Sequence, residues 1–105
     1  MRVTAWPVGK KHPDMGIGLN IPTRERGKYF DRSWEKVYID LDGEVEEFKI
    51  RAGFWHTCNE IADNPSKALR KWFLGHGQPI PWPYGKAPAF ELEPLGGGHF
   101  KLRYI

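Results

Sequence analysis

The chain has 105 residues, with 16 Lys/Arg against 13 Asp/Glu and a formal charge of +3. That length sets the expectation of a single domain, 1–105, large enough for one core. The balance permits a polyanionic partner but lacks the dense charge of a histone-like binder. Cys58 stands alone, which excludes an internal disulfide and a cysteine-rich zinc site.

Five Trp, six Phe and four Tyr supply apolar area for a globule, while nine Pro and twelve Gly leave little room for long helices. No apolar run is long enough to cross a membrane, and the N-terminus lacks a signal-like segment. The expectation is a soluble cytoplasmic protein with no membrane partner.

Val3 to Val8 reads as a short strand, which Pro7 confines to an edge or a strand end. Residues 9–18 read as a flexible loop carrying Lys10, Lys11 and His12. Leu19 to Ile21 reads as a second strand, stopped by Pro22. Thr23 is placed to cap a short helix reaching Phe30, with Arg24, Arg26 and Lys28 on it.

Residues 36–51 then read as a hairpin. Val37, Ile39 and Leu41 alternate with polar residues, and Asp42-Gly43 is the dipeptide a type I′ turn favours. On the return strand Phe48 and Ile50 share a face, but Val45 is out of phase. Either a bulge sits near Glu46-Glu47 or Val45 points outward. Residues 54–61 read equally as strand or loop.

Asn64 followed by Pro65 predicts a helix start. Ala68, Leu69, Trp72 and Phe73 share one face at helical spacing, with Lys67, Arg70 and Lys71 opposite. Gly75 or Gly77 ends it. Residues 78–88, with four prolines, predict an extended connection. The chain closes on a hairpin about Gly96-Gly97-Gly98. In it Phe90 and Leu92 face Leu102 and Tyr104, while Glu91 falls opposite Arg103 and Glu93 opposite Lys101. The fold class is mainly β: a small pseudobarrel of six to seven strands, with one short and one longer helix covering its ends.

This order of elements resembles the DNA-binding pseudobarrel superfamily, which includes plant auxin-response-type DNA-binding domains and restriction endonuclease recognition domains. The matching features are Leu19-Asn20-Ile21-Pro22 leading into a basic helix that ends Tyr29-Phe30, the 37–50 hairpin, an aromatic segment, a helix closing on Gly75-His76-Gly77, and the Phe90-Glu91-Leu92 strand with its partner. The likeness spans roughly 3–105 and is one of order and pattern. The Pro-rich stretch 78–88 departs from it, since the family joins its late helix to the next strand by a short link.

The resemblance implies double-stranded DNA binding by two loops at one rim, with no cofactor. By position the first loop is 9–18, with Lys10, Lys11 and His12. The second is 51–59, with Arg51, Trp55, His56 and Asn59. Arg24 and Arg26 would add backbone contacts. Lys and Arg neutralise phosphates, while Arg, Asn and His donate to base edges. Such a module is expected to be non-enzymatic, acting alone or beside a protein partner that carries catalysis.

Two other classes compete. A protein- or small-ligand-binding module would use an aromatic surface formed by Trp55 and Trp82, although a rigid loop with Trp82 packed inward is the plainer reading of 79–83. A Mg²⁺-dependent nuclease would use Pro13-Asp14 with Glu47 and Lys49. Against that, Asp14 lies in a Gly/Pro loop and the chain is short for a nuclease fold. Cys58 two residues from His56 lacks a third orienting group and reads as a small buried residue instead of a nucleophile. His12, His56, His76 and His99 share no ligand spacing, so no metal site is expected.

Overall fold

The described residues form seven strands. They are β1 (Arg2–Val8), β2 (Gly16–Asn20), β3 (Lys36–Leu41), β4 (Glu44–Lys49), β5 (Glu60–Ala62), β6 (Ala89–Gly96) and β7 (His99–Tyr104). Two helices accompany them, α1 (Thr23–Tyr29) and α2 (Ala68–Gly75). The coordinates are a computed structural model that describes residues 1–8, 16–83 and 85–105.

The strands form one mixed sheet in the order β4-β3-β7-β6-β1-β2-β5, with β3 and β7 parallel and every other neighbour antiparallel. The sheet curls around a single core in which Phe30 stacks on Phe100 at 4.9 Å and Phe73 on Phe90 at 4.8 Å. It does not close into a barrel. β4 and β5 are its two edges.

Both hairpins carry the expected geometry. Asp42 and Gly43 have φ of 56° and 96°, as a type I′ turn requires. The β3–β4 register runs from Lys36↔Lys49 to Leu41↔Glu44 without a bulge. Val45 therefore points outward and is exposed. The position in phase with buried Phe48 is Glu46, whose carboxylate accepts from Asn64 and Ser66. In the last hairpin Glu91 pairs with Arg103, Leu92 with Leu102 and Glu93 with Lys101. The register shifts between Pro94 and Gly96, leaving Gly97-Gly98 as the tip.

Boundaries differ where side chains outvoted local signals. β2 begins at Gly16, inside the stretch read as a loop, because its pairing with β1 reaches Val8↔Gly16. Pro7 is tolerated because β6 pairs only with Arg2 to Thr4, so β1 is one-sided by then. α1 has Pro22, not Thr23, at its cap position. α2 starts at Ala68 after Lys67 in a left-handed conformation, later than Asn64 suggested.

Asn64 and Asp63 still satisfy that helix from a distance. Asn64 Oδ1 accepts from the Ala68 amide at 3.1 Å, and the Asp63 carboxylate accepts from Leu69 at 2.8 Å and Arg70 at 3.0 Å. Burial nevertheless holds the Asp63 carboxyl above its ordinary value, opposed by the amides of Leu69, Arg70 and Asn64 and by the Arg70 charge. The α2 face of Ala68, Leu69, Trp72 and Phe73 is buried, as is Trp82 in the Pro-rich segment. No described helix is long and apolar enough to cross a membrane.

Candidate nucleic-acid interface

The fold brings together α1 and the connection between β4 and β5. That connection opens with a single 3₁₀ turn, Ala52–Trp55, which sinks Phe54 into the core against Phe30 at 5.0 Å. Its outer residues stay accessible. Arg51, His56 and Cys58 are exposed, while Trp55 and Asn59 are half-buried. Cys58 is thus a free surface thiol and not the buried residue its composition suggested.

Arg26 ties the two elements. Its guanidinium donates to the Phe54 carbonyl at 2.6 Å and reaches the His56 carbonyl at 3.5 Å. It also lies 5.4 Å from the Trp55 ring centroid, and Arg32 lies over the same ring at 4.6 Å. Trp55 is therefore layered with guanidinium groups, an arrangement the ring quadrupole favours. Its indole N–H is buried without an acceptor among the described residues.

The result is a basic surface in which Arg26 and Arg32 lie on Trp55 and Arg51 opens the same connection, while Arg24 and Lys28 are exposed on α1. Its nearby acids are partly spoken for. The Asp31 carboxylate is bound by the Ser33 hydroxyl and amide, which lower its pKa. Burial raises the Glu60 carboxyl, and Arg51 opposes that rise.

Asn59 behaves differently from the expectation. Its side-chain NH₂ donates to Asn20 Oδ1 at 2.9 Å and to the Ile21 carbonyl. It clamps the end of β2 to the start of β5 and orients Asn20, a residue the sequence did not single out. An asparagine two residues before Pro22 carries no local signal; only the Asn20↔Glu60 register brings it beside Asn59.

The expected single rim is not what the register gives. β1 pairs β2 at Val8↔Gly16, whereas β2 pairs β5 at Asn20↔Glu60. The two loops therefore leave opposite ends of β2, because successive antiparallel pairings place successive connections at alternate ends. Lys10, Lys11 and His12 lie outside the described residues, as does Asp14. Between the two ends lies the outward face of β1, β2 and β5, carrying exposed Trp6 opposite Gly18.

The competing sites fare as follows. Trp82 is core and Trp55 lies under two guanidiniums, so they make no shared aromatic surface. Glu47 is exposed and paired with Lys36 at 3.3 Å, which raises the Lys36 pKa. Among the described residues no three His, Cys, Asp or Glu side chains gather as metal ligands. Comparison with protein-family models, curated proteins and solved structures found no match to this chain.

Proposed function

We propose that the protein binds double-stranded DNA as a non-enzymatic recognition module. The observation that carries this reading is the pair Arg26 and Arg32 on Trp55 in the β4–β5 connection, which Arg51 opens, with Arg24 and Lys28 exposed on α1. Guanidinium groups neutralise phosphates, and a half-exposed aromatic beside them suits a sugar or base edge.

A salt titration of duplex binding tests the reading. Affinity should fall steeply with salt, by a slope of about −0.9 per phosphate neutralised. Arg24→Ala/Arg51→Ala and Lys10→Ala/Lys11→Ala should each weaken binding and shallow that slope by roughly 2. Salt-independent binding, or no binding, would overturn it. Mg²⁺-dependent cleavage lost in Glu47→Ala would instead favour the nuclease.

A further inference from the structure

We propose that the concave site beside Trp6 holds one unpaired guanine of a bound DNA, stacked on the Trp6 indole and read by Glu60 and Asn20; this rests on the DNA-binding reading above. The site is a hollow of about 130 Å³ lined by Trp6, Asn20, Thr57, Cys58, Asn59 and Glu60. The sheet builds it. Thr4, Asn20 and Glu60 are register partners in one row across β1, β2 and β5, and Trp6 with Gly18 and Ala62 forms the next.

Gly18 keeps the floor low. A Cβ there would come 3.0 Å from the Ile61 carbonyl oxygen, so no side chain can rise between Trp6 and β5. Trp6 is 46% exposed, a large aromatic left uncovered beside a polar hollow. That combination is how sheet surfaces present stacking platforms to bases.

The polar groups set the choice of base. Asn59 spends its NH₂ on Asn20 Oδ1 and the Ile21 carbonyl, which turns the Asn20 NH₂ outward as a donor. Among the described residues no donor hydrogen-bonds the half-buried Glu60 carboxylate, and Arg51 supplies only a nearby charge. The hollow therefore offers a carboxylate with two acceptor oxygens beside an amide donor. Guanine presents the complement on its Watson–Crick edge: N1–H and N2–H for the carboxylate, and O6 for the amide. Thymine offers the carboxylate one donor. A base in a duplex has this edge occupied, so only an unpaired one fits.

Arg26 and Arg51 border the same connection and provide the positive charge that brings a phosphate backbone to the hollow.

The test is fluorescence anisotropy of the full chain with three labelled duplexes: fully paired, with a single bulged guanine, and with a single bulged thymine. The bulged-guanine duplex should bind about tenfold tighter than the paired one. Trp6→Ala should abolish that gain and leave paired-duplex affinity within about twofold. Glu60→Gln, checked for folding by its melting curve, should erase the guanine-over-thymine preference while keeping the gain from stacking. Equal affinity for bulged and paired duplexes, or a guanine preference that survives Trp6→Ala, would overturn the guanine site alone. Failure to bind any of the three would overturn the DNA-binding reading and this site with it.

Discussion

The side chain of Asn64 spans the open seam of the sheet, donating to the Glu47 carbonyl at 3.1 Å. Glu47 belongs to the edge strand β4, whereas Asn64 follows the opposite edge, β5. The same amide donates to Glu46 Oε1 at 3.2 Å, and its oxygen accepts from Ala68. One residue thus joins both edges of an unclosed sheet to the start of α2. Asn64→Ala should destabilise the fold by about 1–3 kcal/mol, the cost of unpairing these groups. Asn64→Asp keeps the acceptor for Ala68 but sets a carboxylate against Glu46, so it should fall between the two. Urea denaturation orders the three proteins. An Asn64→Ala midpoint equal to wild type would show that the seam needs no bridge.

A second tie holds the β3–β4 turn to α2. Asp42 Oδ2 accepts from Trp72 Nε1 at 3.0 Å and sits 2.6 Å from His76 Nε2. The residue also has φ of 56°, which asparagine tolerates and alanine does not. Asp42→Ala should therefore cost about 2 kcal/mol, combining backbone strain with an unpaired indole N–H. Asp42→Asn keeps the turn and one acceptor oxygen, and should cost under about 1 kcal/mol. Thermal melts separate them, and equal losses would mean that the carboxylate charge beside His76, absent from both variants, carries the whole effect.

These two ties mark the limit of what was legible in the residues. Periodicity and turn chemistry exposed the Asp42-Gly43 hairpin, the buried α2 face and the Glu91↔Arg103 register, because each is set by residues near one another in sequence. The late start of α2 was illegible, since Asp63 and Asn64 cap it through side chains reaching several residues forward. The exposure of Cys58 and the clamp of Asn59 on Asn20 depend on a pairing 39 residues apart in sequence. Charge alone marked Arg24 and Arg26 as similar, yet only one is a strut.

Acidity should tune stability through Glu60. Burial raises its folded pKa above the ordinary 4.5, and Arg51 opposes part of that rise. The folded chain then holds the Glu60 proton to higher pH than the unfolded chain does. Ionising Glu60 thus costs stability above the folded pKa, and the cost is relieved as pH falls through that pKa towards 4.5. Glu60→Gln removes the titration. It should be the more stable protein at pH 7, with the advantage vanishing on acidification. Asp63 is raised in the same direction but is present in both chains, so the difference isolates Glu60. Urea midpoints measured across that range check it; a variant less stable than wild type at pH 7 would mean that the carboxylate is held by partners.

Arg24 and Arg26 carry the same charge on one helix, and lysine substitution should separate them. Arg24 is exposed on α1. Arg24→Lys keeps a cation near a phosphate and should leave duplex affinity within about twofold. Arg26 instead bridges the Phe54 and His56 carbonyls while lying over Trp55. A lysine ammonium is a point charge without the planar fork that meets carbonyl and ring together. Arg26→Lys should therefore lose about 1–2 kcal/mol of stability through its carbonyl bonds and ring contact. It should also weaken DNA binding despite unchanged net charge, because the connection bearing Arg51 and His56 loses its anchor. The check is a melt paired with a salt titration. Lower affinity at an unchanged salt slope identifies Arg26 as a positioning residue, while affinity left within about twofold, as for Arg24→Lys, would make it a phosphate contact like Arg24.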